Sequence, residues 1–242
     1  MQKRIIPCLD IRDGRVVKGK KFKNIQDVAH PLELAKQYEA DGADVLFLLD
    51  ITGDDRGTFL QIIRDIREAT KLPLYVGGGI RNVEHVRETL EAGATKVSIT
   101  SAAITNPELL KKAAERFGSH KIILSIDAKR IADTKWHAFT SGGKEDSGLD
   151  VIEWAKQGEQ YGVSEILLNS IDTDGVKNGY DLTLNKAVTD AVTIPVIASG
   201  GAGTIEHFTT VLNGGYAAAA LAASVFHYNE INIRDIKQSL KM

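Results

Sequence analysis

The 242 residues carry 43% hydrophobic and 26% charged side chains, enough apolar material for a large core without disulfide or metal staples. The net charge of −2 excludes the broad basic surface of a general nucleic-acid binder, so an anionic ligand must be held by a local site. The lone Cys8 excludes an intramolecular disulfide, no apolar run reaches the ~18 residues of a membrane span, and Met1-Gln2-Lys3-Arg4 lacks the apolar core of a secretion signal, so a cytoplasmic setting is expected.

Taken in order, the chain alternates apolar runs with helical patterns. A strand is expected at about 4–10, where Ile5, Ile6 and Leu9 supply bulk, followed by a basic, glycine-containing loop over 11–30. Pro31 suits a helix first turn, and Leu32, Leu34, Ala35 and Tyr38 follow at helical spacing. Strands are read at 45–50, 73–76 and 96–100, with helices through Leu60, Ile63 and Ile66, from Val83 to Ala92, and from an Asn106-Pro107 start to Phe117. The second half repeats the order. Strands fall at 121–127, 164–169, 194–198 and 217–222, and helices at 151–161, 182–191, 205–212 and 233–240. Residues 129–149 read as a long polar loop, decoration and lid edge, with a small hairpin at Trp136-His137-Ala138-Phe139.

Eight apolar strands alternating with helices, with no Pro/Ser-rich linker, predict one (β/α)8 barrel over 1–242. The halves, about 1–120 and 121–242, match internally. Pro7-Cys8-Leu9-Asp10 and Leu124-Ser125-Ile126-Asp127 both end apolar runs on an aspartate, 117 residues apart. Gly78-Gly79 recurs as Gly200-Gly201 at an offset of 122, and Ser101 as Ser224 at 123. An open doubly wound sheet has one switch point and gives no reason for this repeat.

In a two-fold barrel, strands one and five stand opposite, so Asp10 and Asp127 face across the mouth and can divide acid and base roles. The two glycine turns let backbone approach a phosphate, and Ser101 and Ser224 open the segments after the next strands. Two such groups predict a bisphosphate ligand. Lys18, in the loop after Asp10, is a candidate to close over it. Asp172 and Asp174 either orient substrate or form an Asx turn. The six histidines show no metal-ligand spacing, His85 and His207 read as surface helix residues, and neither a metal nor a cofactor is expected.

Together these stretches resemble the cyclase-subunit family of imidazole glycerol phosphate synthase, across essentially the whole chain. The carrying segments are Arg4-Ile5-Ile6-Pro7-Cys8-Leu9-Asp10, Asp13-Gly14-Arg15-Val16-Val17-Lys18-Gly19, Val76-Gly77-Gly78-Gly79-Ile80, Ser125-Ile126-Asp127-Ala128-Lys129-Arg130, Ala198-Ser199-Gly200-Gly201-Ala202-Gly203 and Ala222-Ala223-Ser224-Val225-Phe226-His227. The resemblance implies a glutaminase partner whose ammonia crosses the barrel. It also implies a bisphosphate nucleotide substrate, closed to imidazole glycerol phosphate with release of aminoimidazole carboxamide ribonucleotide. It implies Asp127 as general acid, Asp10 as base and acid of ring closure and cleavage, and Lys18 as the mobile-loop lysine. Phosphate contacts are implied at Gly79, Ser101, Gly201 and Ser224, with Asp174 and Gly175 beside the second phosphate.

Four positions depart from the family pattern: Val45 for Glu, Thr95 for Asp, Thr100 for an Asn near the first phosphate, and Thr173 for an Arg. Val45 removes a carboxylate from the charged ring of Arg4, Lys96 and Glu165 at the barrel base. A wetter, less closed base with a crowded cationic pair is therefore expected. Competing readings are the sister isomerase of the related formimino bisphosphate, a sugar-aminating paralogue, and a non-catalytic glutaminase partner.

Overall fold

Continuous apolar runs form strands that need burial on both faces, and a sheet closed on itself and wrapped by helices provides it. The computed structural model has this form. It describes residues 3–20, 23–52 and 55–240, the side chains of residues 18–20 and 23–29 excepted. The barrel strands are β1 (Arg4–Arg12), β4 (Leu46–Asp50), β5 (Leu74–Gly77), β6 (Lys96–Ile99), β7 (Ile122–Ala132), β10 (Glu165–Ser170), β11 (Val196–Ser199) and β12 (Ala219–Ala222). They pair in parallel around the ring, which closes where β10 meets β7 from Glu165↔Ile123 to Ser170↔Ala128 and β12 meets β1 from Arg4↔Ala219 to Pro7↔Ala222. The chain is a (β/α)8 barrel.

Helices α1 (Pro31–Ala40), α2 (Arg56–Ala69), α3 (Val83–Glu91), α5 (Glu108–Phe117), α6 (Val151–Gln160), α7 (Leu182–Ala191), α8 (Ile205–Asn213) and α10 (Ile233–Ser239) form the outer layer. Two short helices, α4 (Ser101–Thr105) and α9 (Ser224–His227), follow β6 and β12. Helix α2 shows the local logic. The Asp55 side chain accepts the Thr58 N–H at its start, and Phe59, Ile63 and Ile66 fall on one face, each burial contributing about 1.5–3 kcal/mol. That face joins Leu48, Val76 and Leu124 in the layer between barrel and helices. A second, smaller cluster fills the lumen, with Ile6, Val45, Phe47, Tyr75, Ile123 and Leu167 among its members. The barrel is thus packed through, as interdigitated inward layers require.

Two expected loops are strands. Within 11–30 lie β2 (Arg15–Lys20) and β3 (Lys23–Ala29), antiparallel to each other, and β2 continues from β1 through Ile11↔Val16 and Arg12↔Arg15. The turn between β1 and β2 is Asp13-Gly14, both with positive φ (50° and 76°), the pair that a two-residue hairpin turn favours. Residues 129–149 likewise extend β7 into β8 (Lys135–Thr140) and β9 (Glu145–Asp150). Trp136 on β8 is buried and stacks under the Arg130 guanidinium 4.7 Å away, so this segment packs on the body of the barrel rather than decorating it. Both halves therefore carry a hairpin directly after the strand that bears the aspartate. The expected Asn106-Pro107 cap also differs: α5 has no side-chain cap, and Asn106 offers its carbonyl to the Leu109 N–H at 3.0 Å.

Candidate active site

Three strands separate β1 from β7 in either direction around the ring, so Asp10 and Asp127 stand on opposite walls. Each sits where barrel pairing gives way to hairpin pairing: Asp10 opposite Leu49, Asp127 opposite both Asn169 and Phe139. Both line one cavity of about 570 Å³ at the C-terminal face. The same cavity is walled by Gly78, Gly79, Thr100, Ser101, Asp174, Gly175, Gly200 and Ser224.

The two carboxyls have different surroundings. Asp127 keeps some surface at the cavity floor but is ringed by protein, and this desolvation raises its pKa, with the Asn169 hydrogen bond opposing and the charge of Asp174 adding to the rise. Asp10 accepts a weak contact from the Cys8 thiol at 3.5 Å. A carboxyl with a raised pKa, across the cavity from one in a different environment, is the arrangement that divides acid from base work.

The glycine turns are built by close backbone approach. At Gly78 (φ 87°) a Cβ would lie 2.0 Å from the Asp50 carbonyl oxygen, and at Gly201 (φ 106°) 2.0 Å from that of Gly179. Only glycine fits either place. Gly201 itself is buried behind the cavity wall that Gly200 and Ala202 form. The Thr173 hydroxyl ties down the second turn by donating to the Gly200 carbonyl at 3.0 Å. His85 and His207, expected on the surface, are half-buried and brace these turns. His85 Nδ1 lies 3.0 Å from the Gly79 carbonyl, and His207 Nδ1 accepts from the N–H groups of Gly203 and Thr204 at 3.1 and 3.2 Å. Asp172 accepts the Arg130 N–H at 2.8 Å, a structural use, whereas Asp174 lines the cavity.

Sequence reasoning missed part of the wall. Ser141, Gly142 and Lys144 of the β8–β9 turn line the cavity, and the Ser141 N–H donates to Ser101 Oγ at 3.2 Å. Once 129–149 is read as a loop, nothing locates Lys144. Asn169 and Ser199 were passed over too, although Asn169 follows an apolar run as Asp127 does. Lys18 lies on β2, and its side chain falls outside the described residues.

At the opposite end, Arg4, Lys96 and Glu165 come together. Arg4 pairs with Glu165 at 2.8 Å, and the Lys96 ammonium pairs with the same carboxylate and donates to Ser164 Oγ at 2.9 Å. The Tyr75 hydroxyl accepts from Arg4 at 3.0 Å and donates to Glu165 at 3.1 Å. Burial, with the Glu165 charge, pushes the Tyr75 phenol up to about 12, so it keeps its proton. Burial would raise the Glu165 carboxyl, but the Arg4 hydrogen bond and charge and those of Lys96 outweigh it, and its pKa is lowered. The two cations expected here do crowd together with an excess of one positive charge, but one carboxylate serves both, and an aromatic hydroxyl that the charge count left out completes the ring. Val45 lies in the lumen cluster with Tyr75.

Among the described residues no cluster has the makings of a metal site, and no helix is long and apolar enough to cross a membrane. A family model described as "Histidine biosynthesis protein" matches residues 4–232. The chain is 55% identical over 242 residues to the imidazole glycerol phosphate synthase subunit HisF of Oceanobacillus iheyensis, covering 99% of this chain and 95% of that one. It is 50% identical over 240 residues to the protein of the same name from Endomicrobium trichonymphae, covering 98% and 92%. A (β/α)8 barrel with two opposed carboxylates and paired glycine turns, matched along nearly its whole length, belongs to the histidine biosynthesis protein family.

Proposed function

We propose that this chain is the cyclase subunit of imidazole glycerol phosphate synthase, a lyase acting at the barrel mouth. The substrate is N'-phosphoribulosyl-formimino-aminoimidazole carboxamide ribonucleotide. Ammonia condenses with its ribulosyl ketone, the imidazole ring closes, and aminoimidazole carboxamide ribonucleotide leaves. The observation that carries this reading is the placement of Asp10 and Asp127 on opposite walls of one cavity flanked by two repeat-related glycine turns. Asp127, whose pKa is raised by burial, gives a proton to the departing ketone oxygen, and Asp10 takes and returns protons in ring closure and cleavage. One phosphate lies by Gly78, Gly79, Thr100 and Ser101, the other by Gly175, Gly200, Gly201 and Ser224, with Asp174 beside it. Lys18 closes over the substrate from the first hairpin. The halves 1–120 and 121–242 act as one domain.

The relatives are named as subunits. The partner we infer is a glutaminase that docks at the barrel base and delivers ammonia past Arg4, Lys96 and Glu165. Turnover of the bisphosphate with ammonium salt, and then with glutamine plus a glutaminase subunit, tests both parts. Turnover of the formimino bisphosphate by isomerisation instead, or no turnover at all, would replace the reading with one of its competitors.

A further inference from the structure

Asp10 and Asp127 are related by the repeat, but the residues beside them on the next strand are not. Asp10 stands next to Leu49 and Asp127 next to Asn169. Asn169 Nδ2 lies 3.0 Å from Asp127 Oδ1, and Ser199 Oγ lies 3.1 Å from Asn169 Oδ1. Asp127, Asn169 and Ser199 thus form a single file across β7, β10 and β11, and all three line the cavity. Chemistry fixes the direction of the file. An amide nitrogen can only donate, so the Asp127 oxygen that it meets carries no proton, and the amide oxygen then needs the donor that the Ser199 hydroxyl supplies. The second glycine turn makes room for this amide, since a Cβ on Gly200 would lie 3.1 Å from Asn169 Oδ1.

We propose that Asn169, held in place by Ser199, is a positioning residue that makes Asp127 a directional acid. The amide occupies Oδ1, so the transferable proton of Asp127 resides on Oδ2, on the side open to the cavity. Because the repeat-related place beside Asp10 holds an apolar Leu49, the acid role falls to one half of the barrel. The same amide prevents the carboxyl from turning, and a fixed donor shortens the search for a productive geometry. This rests on Asp127 being the general acid of the reaction proposed above.

The test compares steady-state turnover of the bisphosphate for the intact chain and for Asn169→Leu, Ser199→Ala, their double variant and Asp127→Asn, across pH at fixed free ammonia. Leucine matches the amide in size and cannot hydrogen-bond. Asn169→Leu should lower kcat by about tenfold or more while KM stays within about threefold. Its acid limb should move to higher pH, because the ionised carboxylate loses a donor while Asp174 still faces it. Ser199→Ala should lower kcat by about threefold, and the double variant should be within about twofold of Asn169→Leu, because Ser199 acts through Asn169. If leucine prevents folding, Asn169→Asp carries the same expectation for kcat and pH limb, since two facing carboxyls must share a proton. An Asn169→Leu enzyme within about twofold of the parent kcat and with an unmoved pH limb overturns the proposal, as do losses at 169 and 199 that multiply. An Asp127→Asn enzyme that keeps its turnover overturns instead the assignment of the acid.

Discussion

The Tyr75 hydroxyl stands between the charged partners of the barrel base, accepting from Arg4 at 3.0 Å and donating to Glu165 at 3.1 Å. Glu165 is the only carboxylate to which the described contacts tie Arg4 and Lys96, with side-chain exposures of 5%, 19% and 15%. Glu165→Ala leaves two half-buried cations facing each other, and the loss should be on the order of 3 kcal/mol, the scale for breaking a buried pair from one side. Its pH dependence has a definite sign. The folded-state pKa of Glu165 is lowered, so the stability it contributes is complete above the unfolded carboxylate value and is lost as pH falls through the folded value. Urea unfolding at several pH values should show the gap between parent and variant narrowing in acid. A gap that widens there contradicts the pairing.

Asp127 has the opposite sign. Burial raises its folded pKa, so at any pH above the unfolded carboxylate value the folded state carries a cost, that of a retained proton or of a desolvated charge. Asp127→Asn removes that charge and leaves an amide that can still meet Asn169. We expect turnover to fall by at least ~10²-fold while the melting temperature rises by about 2–4 °C for each kcal/mol relieved. The stability gain should shrink below the unfolded carboxylate pKa, where the parent is neutral in both states. Calorimetry at pH 7 and pH 3 checks it, and a variant that melts lower than the parent at pH 7 contradicts it.

The barrel was legible because its signals are redundant: eight apolar runs, their glycine stops and their half-chain echo all agree. The hairpin after β1 was not, because charge and glycine over 11–30 read as a loop, and the one after β7 was legible only at Trp136-His137-Ala138-Phe139. Asp13-Gly14 was the turn signal available after β1. The carboxylates and glycine turns could be placed because each ends a strand. Lys144 could not, because its position depends on how the β8–β9 turn folds back towards Ser101. The base was legible only in part, for a different reason. Charges could be counted from the sequence, but the Tyr75 hydroxyl that meets them comes from a strand that reads as plain apolar.

The glycine turns give a separable prediction. Gly78→Ala and Gly201→Ala each force a Cβ to 2.0 Å from a carbonyl oxygen, at a backbone conformation that alanine rarely adopts. Each turn should shift and lose its anion. Phosphate or sulfate soaked into crystals of the parent should give two anions at the C-terminal face. The Gly78 variant should keep only the one by Ser224, and the Gly201 variant only the one by Ser101. A parent with density at one turn alone removes the symmetric bisphosphate cradle.

The last prediction concerns the ammonia route proposed at the base. Val45 and Thr95 stand where the resemblance implies two carboxylates, which on charge alone argues for a loose, poorly coupled base. Tyr75 changes that argument, because its hydroxyl bridges Arg4 and Glu165 from within the lumen cluster that also holds Val45. Tyr75→Phe keeps the ring and its packing and removes only the bridge. With the glutaminase partner it should lower the ratio of cyclase product to glutamine hydrolysed, while turnover with ammonium salt stays within about twofold. Val45→Glu in that background should restore the ratio, because the new carboxylate offers Arg4 the acceptor that the phenol supplied. Thr95 behaves differently. Its hydroxyl accepts the Leu74 N–H at 3.0 Å, a bond that an aspartate can also make, so Thr95→Asp adds charge without disturbing the strand start. It should speed association with the partner at low salt and leave the product ratio alone, since rim charges act on encounter more than on the closed complex. A Tyr75→Phe chain that still couples product to glutamine one to one would show that the hydroxyl is not what closes the base.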